Sequence, residues 1–212
     1  MLRENRKKSD IAVAVIFLML NIAIFMVLYS GKQDFWGRLH ECILDLKAKD
    51  SLFCILTPLI LFIACGILPS SWKDVLVFWR LHYPLPGCRA FTHFAKKDLR
   101  IDEAKLEAKL GSFPQEPKKQ NTTWYELYLL VQDKKRIQNT NRIFLLSQDI
   151  AGIAVLFFVF GTLALILSGV AIVNVVKFAG ITIVEYILFS IVAHNYGNRL
   201  VCNVLVEYMK RK

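Results

Sequence analysis

Apolar residues are concentrated in two pairs of long runs, and a polar segment separates the two pairs. The first pair covers residues 11–29 and 52–68, and the second pair begins near residue 150. A membrane-spanning helix needs about 20 mainly apolar residues. The pattern therefore predicts an all-α membrane protein with four transmembrane helices in two hairpins. The first run is too long for a cleaved signal peptide and no small-residue cleavage site follows it, so we expect it to remain as a span.

The same pattern divides the chain into three parts. Residues 1–69 are predicted to form an N-terminal transmembrane hairpin, residues 70–147 a basic helical module outside the membrane, and residues 148–212 a C-terminal hairpin with a helical tail. Between the first two spans, residues 31–50 place Trp36 among balanced charges. This composition favours a short amphipathic helix on the outer membrane surface.

The turn of the second hairpin has two competing positions, because apolar sequence continues almost unbroken to Ala193. A turn at residues 168–169 would bury Lys177 in the bilayer, which costs roughly 3 kcal/mol on insertion scales. A turn through residues 174–180 places Lys177 at the outer interface instead. This cost favours the second position, and the last span is then expected to begin near Ile181.

Two helices are predicted within the module. Asp102 and Glu103 suit the positive N-terminus of a helix that Gly111 would end. The proline-containing stretch after it is expected to form a loop. A second helix is expected to begin with Thr122 or Thr123 as its N-cap. Its spacing places four large apolar side chains on one face, namely Trp124, Leu127, Tyr128 and Val131.

Charge is distributed asymmetrically along the chain, whose formal net charge is +10. Of its 27 Lys and Arg residues, 22 lie in the terminal segments and the module. The other five lie in the two predicted outer segments, four of them in residues 31–50 and the fifth at Lys177. Lysine and arginine close to spans are retained on the cytoplasmic side of a membrane. We therefore expect the module and both termini to face the cytoplasm.

The sequence contains no P-loop, GxGxxG, HExxH or nucleophile-elbow motif. Its five cysteines are scattered, and the spacing of His82, Cys88 and His93 matches no strong metal site. Arg89 and His93 form no convincing catalytic pair, because they are close in sequence and no second such pair accompanies them. We expect no catalytic residues, no metal and no cofactor, and we interpret the chain as a protein other than an enzyme.

Glu185 is a carboxylate within the last predicted span. Intramembrane carboxylates are costly and usually face a bundle interior or a water-filled path. If several subunits associate, Glu185 becomes a ring of carboxylates, which is typical of a cation pore, and His194 and Asn195 would line its inner mouth. The alternatives are that Glu185 pairs with Lys177 two turns away, or that it is neutral and hydrogen-bonded within the bundle.

The module carries fourteen Lys and Arg residues against eight Asp and Glu, interleaved with aromatic residues. Cations bind phosphates and aromatic rings stack on bases, so this composition favours a nucleotide or single-stranded nucleic acid as ligand. The same composition also suits attraction to anionic lipid at the membrane surface. The candidate ligand-binding residues are Arg80, Arg89, Lys96, Lys97, Arg100, Lys118, Lys119, Lys134, Lys135 and Arg136.

Residues 79–102, with the sequence WRLHYPLPGCRAFTHFAKKDLRID, and the later stretches QNTTWYELY and NRIFLLSQD carry a resemblance to known proteins. They resemble small four-span membrane proteins encoded in bacterial anti-phage defence operons. The resemblance covers the central third of the chain and its flanking spans. In the Hailong type, a nucleotidyltransferase partner makes an oligonucleotide that regulates a membrane channel. In the Kiwa type, a four-span protein senses infection and works with a DNA-binding partner.

The resemblance implies an effector of the bacterial inner membrane that forms a homo-oligomeric gated ion channel or pore. A nucleotide or oligonucleotide at the cytoplasmic module would control it, and a soluble defence protein from the same operon would be its partner. Opening the channel would collapse the membrane potential. The alternative is a non-conducting sensor or scaffold that detects infection and recruits a soluble nucleic-acid-binding partner. No catalytic residue carries over from either type.

Overall fold

The computed structural model describes residues 8–29, 63 and 66–211. Every regular element within these residues is helical, which confirms the predicted all-α class. Among the described residues, seven helices are longer than one turn: α1 (Lys8–Tyr29), α2 (Ser70–Phe78), α3 (Glu103–Leu110), α4 (Pro117–Val131), α5 (Lys135–Leu156), α6 (Thr162–Leu167) and α7 (Ile172–Lys210). Short helical turns occur at Pro86–Arg89, Ala90–Phe94, Ala95–Lys97 and Phe157–Gly161.

In the part of the chain that the structure describes, three helical segments are long and apolar enough to cross a membrane. They are Asp10–Tyr29, Lys135–Leu167 and Ile172–Lys210, so the chain has the character of a multi-pass membrane protein. The predicted surface helix at residues 31–50 and most of the predicted span at residues 52–68 lie outside the described residues.

The turn of the last hairpin lies at residues 168–171, and the expected turn at residues 174–180 is wrong. α6 ends at Leu167, Gly169 adopts a left-handed backbone with a φ of 70°, and α7 begins at Ile172. Lys177 therefore lies within α7, yet its side chain is exposed. It is only about 7.5 Å along the axis from the start of α7, so its flexible side chain can reach the membrane interface. Because its side chain is not buried, the expected free-energy cost of placing Lys177 in the bilayer is avoided.

The chain forms two compact units. The described parts of the module unit lie within Asp74–Gln148 and Ser190–Lys212, and those of the span unit lie within Arg6–Lys73 and Asp149–Phe189. In the span unit, Ile24, Leu28, Leu165, Val175 and Phe178 form a buried apolar cluster.

α1 and the N-terminal part of α7 run antiparallel in the span unit. The rings of the two aromatic pairs between these helices lie edge to face, with centroids 5.3 and 5.7 Å apart. Residue numbers increase along α1 while those of their partners decrease along α7. The four successive contacts are Phe17 with Phe189, Asn21 with Glu185, Phe25 with Phe178, and the Leu28 carbonyl with Asn174. The N-terminal end of α1 and the Phe189 end of this α7 segment therefore face the same way.

The core of the module unit combines the turns at residues 86–97 with α3, α4, the start of α5 and the C-terminal part of α7. Its best buried side chains include Phe91, Leu106, Ile137, Val201 and Leu205. Burial of one such side chain contributes about 1.5–3 kcal/mol. The C-terminal part of α7 thus buries its apolar face in protein.

The predicted ends of α3 are confirmed, whereas the predicted start of α4 is wrong. The Asp102 side chain accepts a hydrogen bond from the Lys105 N–H at 3.0 Å, and Gly111 ends α3 with a φ of 79°. α4 begins at Pro117, earlier than expected, because proline is well suited to the first turn of a helix. The predicted apolar face of α4 is buried and comprises Trp124, Leu127, Tyr128 and Val131.

Candidate functional site

Residues 80–97 form an irregular segment that packs on α4, and Gly87 allows the close approach. A Cβ atom at Gly87 would lie 2.3 Å from Asn121 Oδ1 and 3.0 Å from Trp124 Cε3. Pro86 occupies the first turn of the short helix Pro86–Arg89, where the absence of an N–H has no consequence. The proline and glycine residues of this stretch therefore fix the segment against α4.

Gln120 of α4 holds the next turn, Ala90–Phe94, in place. Its Oε1 accepts hydrogen bonds of 3.2 Å from the Phe91 N–H, the Thr92 N–H and the Thr92 hydroxyl. Its Nε2 donates to the Gln115 carbonyl at 3.0 Å. Gln120 is 1% exposed, so these bonds replace water for both ends of its amide.

The segment presents a basic cluster, which consists of Arg80, Arg89, His93 and Lys97. Burial lowers the pKa of His93, and the positive charges of Lys97, Arg89 and Arg80 lower this pKa further. Burial also lowers the pKa of the Arg89 guanidinium, and Arg80 adds to the shift by repulsion. None of the four side chains forms an ion pair with a residue that the structure describes. Bound anions would relieve the repulsion among them.

Arg89 is the most constrained member of the basic cluster. Its guanidinium carbon lies 5.8 Å from the centroid of the Phe94 ring, in a cation–π contact. Its Nε is buried and has no hydrogen-bond partner among the described residues. The neighbouring Cys88 is buried, and burial raises the pKa of its thiol, so this thiol is poorly suited to act as a nucleophile.

A shallow pocket of about 390 Å³ adjoins Lys97. This volume is in the range of small-molecule sites. Lys97 thus belongs both to the basic cluster and to the wall of this pocket. The residues that line it are Phe94, Lys97, Asp98, Leu99, Arg100 and Cys202.

Arg100, which the sequence suggested as a ligand-binding residue, is occupied by contacts within the protein. Its Nε donates to Asp98 Oδ1 at 2.8 Å, and its other guanidinium nitrogens bond Asp98 Oδ2 and Asn203 Oδ1. The Asn203 amide in turn donates to the Thr140 hydroxyl at 3.2 Å. Hydrogen bonds from Arg100 lower the pKa of Asp98 to about 2. Arg100 therefore ties residues 98–100 to α5 and α7.

The other basic candidates are exposed in three places. Lys96 lies beside the basic cluster, and Lys118 and Lys119 lie in the first turn of α4, where Lys119 pairs with Glu116 at 3.3 Å. A third group comes at the junction between α4 and α5. It consists of Lys134, Lys135 and Arg136. Lys134 lines a second pocket of about 370 Å³ together with Asp133 and Glu207.

The span unit holds a polar contact between α1 and α7. The Asn21 side chain is 0% exposed and hydrogen-bonds the half-buried Glu185. Asn21 Oδ1 and Glu185 Oε2 are both buried and have no hydrogen-bond partner among the described residues. The expected alternative partner, Lys177, is exposed. Glu185 thus keeps one acceptor atom that a water, a cation or a further polar group can use.

His194 and Asn195 belong to the module unit, whereas Glu185 belongs to the span unit. His194 Nδ1 lies 3.3 Å from the Val77 carbonyl oxygen, and the His194 ring is tilted against the rings of Phe78 and Trp79. Asn195 is exposed. Their role beside Glu185 in one ion path remains a prediction.

Two contacts were not anticipated from the sequence, one within the span unit and one within the module unit. In the span unit, Lys73 Nζ lies 2.8 Å from Asp149 Oδ1, and both side chains are almost fully buried. In the module unit, Gln120 accepts hydrogen bonds from the backbone of the turn Ala90–Phe94, which carries His93 of the basic cluster. Both join residues far apart in sequence, and periodicity carries no signal for such partners. Within the described residues, no group of three or more His, Cys, Asp or Glu side chains could hold a metal ion.

The arrangement supports binding of an anion at the basic cluster, and it offers a buried carboxylate in the spans. It brings Arg80, Arg89 and Lys97 together around His93, and it assigns Arg100 to a structural contact. No protein-family model matches the chain, and searches of curated proteins and of solved structures find no similar protein.

Proposed function

We propose that this chain is a multi-pass membrane effector, in which the basic cluster receives a phosphate-bearing signal and the spans of several subunits form a gated ion path. The observation that carries the proposal is the basic cluster itself. Its four basic side chains have no ion-pair partner within the part of the chain that the structure describes. Such a surface fits the phosphates of a nucleotide or an oligonucleotide.

The proposed topology has four spans, with the module and both termini in the cytoplasm. Three helical segments of sufficient length and the antiparallel course of α1 and α7 support it. The orientation rests on charge, because most Lys and Arg residues lie in the segments assigned to the cytoplasm. Fusion of a reporter to each terminus measures it, and a periplasmic signal from either fusion contradicts it.

The ligand is proposed to place its phosphates on Arg89, His93 and Lys97. A base or sugar attached to such a phosphate would reach the adjacent pocket, which Phe94 and Leu99 line. The pocket offers apolar contact beside charge, which suits a nucleotide better than a simple inorganic anion. Affinity is therefore expected to fall steeply as salt concentration rises.

Binding can be measured with a fluorescent oligoadenylate and full-length protein in nanodiscs. The double variant Arg89→Gln and Lys97→Gln is expected to lose most of the affinity. The matched double variant Lys118→Gln and Lys119→Gln removes the same charge from the start of α4 and is expected to retain it. Equal loss in both variants would indicate a general charge effect, and no binding by wild-type protein to oligoadenylates or cyclic nucleotides would contradict the proposed ligand.

Glu185 is proposed to line the ion path. Its Oε2 atom is buried without a partner among the described residues, and a water chain or a neighbouring subunit would supply one in an oligomer. In reconstituted bilayers, Glu185→Gln is expected to lower the cation current while oligomer yield is maintained. Glu207→Gln, which neutralises a carboxylate in the module unit, serves as the control. An unchanged cation current in assembled Glu185→Gln protein would remove Glu185 from the path.

A non-conducting sensor or scaffold is the second candidate function, and one observation favours it. Glu185 already has a hydrogen-bond partner, Asn21, within the same chain, so the carboxylate can serve to hold α1 against α7. In that case Glu185→Gln lowers stability, and neither the wild-type protein nor the variant carries a current. The absence of current from every wild-type preparation, with and without oligoadenylate, would favour this function.

The cellular role proposed for the chain is defence of a bacterium against phage, together with a soluble protein from the same operon. Opening of the path would depolarise the inner membrane and stop growth of the infected cell. A potential-sensitive dye in infected cells can follow this event. Wild-type protein is expected to give depolarisation and protection, and Glu185→Gln is expected to give neither. Protection without depolarisation would support the sensor instead.

A further inference from the structure

Residues 79–83 form a loop, here called the aromatic loop, that directs three large apolar side chains outward. Trp79, Leu81 and Tyr83 are 57%, 83% and 52% exposed. Arg80 and His82, which lie between them, are also exposed. Clusters of exposed apolar residues on a protein surface mark sites of interaction with a partner or a membrane.

The backbone of the aromatic loop is strained at both ends. Trp79 has a φ of 51° and Tyr83 has a φ of 52°. This left-handed conformation is a genuine outlier for a bulky residue, and such outliers cluster at functional positions. The following Pro84 cannot relieve Tyr83, since it restricts the residue before it. The loop is therefore held in a shape that presents its apolar side chains.

The aromatic loop contacts α7 beside the end of its apolar stretch. The mainly apolar stretch of α7 from Ile172 to Ala193 contains 22 residues and is about 33 Å long, close to the 30 Å thickness of a hydrocarbon core. The polar sequence that begins at His194 follows directly in the same helix. The rings of Trp79 and His194 lie 6.0 Å apart, so the aromatic loop adjoins the start of this polar sequence.

We propose that the aromatic loop is inserted into the membrane interface, with Trp79, Leu81 and Tyr83 among the lipid headgroups and upper acyl chains and Arg80 on their phosphates. Tryptophan and tyrosine favour this layer because one part of the ring system is apolar and another part is polar. The partner is the bilayer in which the protein itself lies, preferably one with anionic lipid. This inference does not depend on an ion path or on a nucleotide ligand.

Tryptophan fluorescence of the full chain in nanodiscs tests the proposal. Comparing wild-type protein with Trp79→Phe isolates the emission of Trp79, and comparison with Trp124→Phe isolates that of the buried Trp124 in the module core. Lipid brominated near the headgroup is expected to abolish the Trp79 emission and to leave that of Trp124. Acrylamide in the aqueous phase is expected to quench Trp79 weakly.

A second pair of variants keeps the test independent of Trp79 itself. In the Trp79→Phe background, Leu81→Trp introduces a reporter in the aromatic loop, and Leu99→Trp introduces one at a fully exposed position elsewhere in the module unit. Leu81→Trp is expected to be quenched by brominated lipid, and Leu99→Trp by acrylamide. Free oligoadenylate is expected to leave the Leu81→Trp emission unchanged, which separates lipid phosphate from soluble phosphate. Quenching of both reporters by acrylamide, without an effect of brominated lipid, would overturn the proposal.

Discussion

Gln120 accepts hydrogen bonds from both the backbone N–H and the hydroxyl of Thr92, each at 3.2 Å, and thereby joins α4 to the turn that carries the basic cluster. Replacement of Gln120 by Leu would leave the buried Phe91 N–H without its acceptor. We expect a loss of about 2 kcal/mol of unfolding free energy and weaker oligoadenylate binding. Denaturant unfolding and the binding assay measure the two effects.

Gln132→Leu is the matched control for this prediction, because among the described residues the Gln132 side chain bonds only the nearby Leu129 carbonyl at the end of α4. It is expected to change stability by less than about 0.5 kcal/mol. Similar losses in Gln120→Leu and Gln132→Leu would contradict the role assigned to Gln120.

Gly87→Ala is expected to destabilise the module unit by about 1–3 kcal/mol through overpacking. The added methyl group would meet Asn121 Oδ1 at 2.3 Å, and Trp124 blocks the other direction at 3.0 Å. Removal of the first obstacle in the double variant Gly87→Ala and Asn121→Ala should recover part of the loss. Thermal unfolding distinguishes the variants. If the second substitution gives no recovery, the contact with Asn121 is not the cause.

Asp149→Asn is expected to destabilise the span unit strongly, by about 3–5 kcal/mol, because it leaves the buried Lys73 ammonium without its carboxylate. Joint replacement by apolar residues, Lys73→Met with Asp149→Leu, should restore most of the stability. Thermal unfolding in nanodiscs is the measurement. A double variant as unstable as Asp149→Asn would show that Lys73 and Asp149 serve other partners as well.

The stability of the module unit is expected to decrease in acid because of Asp98. Contacts with Arg100 lower its pKa from 3.8 to about 2 in the folded protein. A lowered folded-state pKa contributes stability that is present above pH 4 and is lost as the pH falls toward 2. Unfolding curves between pH 5 and pH 2 should therefore be flatter for Asp98→Asn than for wild-type protein. Asp133→Asn, at an exposed position, serves as the control and should show the same dependence of unfolding free energy on pH as wild-type protein.

Anion binding at the basic cluster is expected to take up a proton through His93. Burial lowers the pKa of His93 and the neighbouring cations lower it further, whereas a bound phosphate favours the charged ring. Affinity for oligoadenylate should thus rise as the pH is lowered. His93→Gln should abolish this rise and His82→Gln should retain it. A pH-independent affinity of wild-type protein would exclude His93 from the site.

Local patterns predicted what depends on neighbours in sequence. The helical class, the position of Asp102 at the start of α3 and the buried face of α4 all follow from spacing and helix-end chemistry within a few residues. The predictions for the start of α4 and for the turn before α7 were wrong. Proline is compatible both with a loop and with the first turn of a helix, and a lysine near a helix end can lie either in the turn or within the helix.

Such patterns do not predict which residues far apart in sequence contact each other. Asn21 could be recognised as a polar residue in a span, but its contact with Glu185 depends on how α1 and α7 are aligned. Arg100 was indistinguishable in sequence from the cations of the basic cluster, and only the fold brings Asn203 to it. The sequence therefore predicted the candidate residues as one set, and the fold was required to recognise that Arg100 forms structural contacts.

The contact between Asn21 and Glu185 also bears on the order in which the chain is assembled. α1 leaves the ribosome long before α7, on the order of ten seconds or more at about 5–20 residues per second. During that interval the Asn21 amide has a local acceptor, the Phe17 carbonyl at 3.2 Å, which makes its early residence in lipid tolerable. Glu185 enters later and finds Asn21 already in the membrane. The contact between α1 and α7 can therefore form only when synthesis has reached α7.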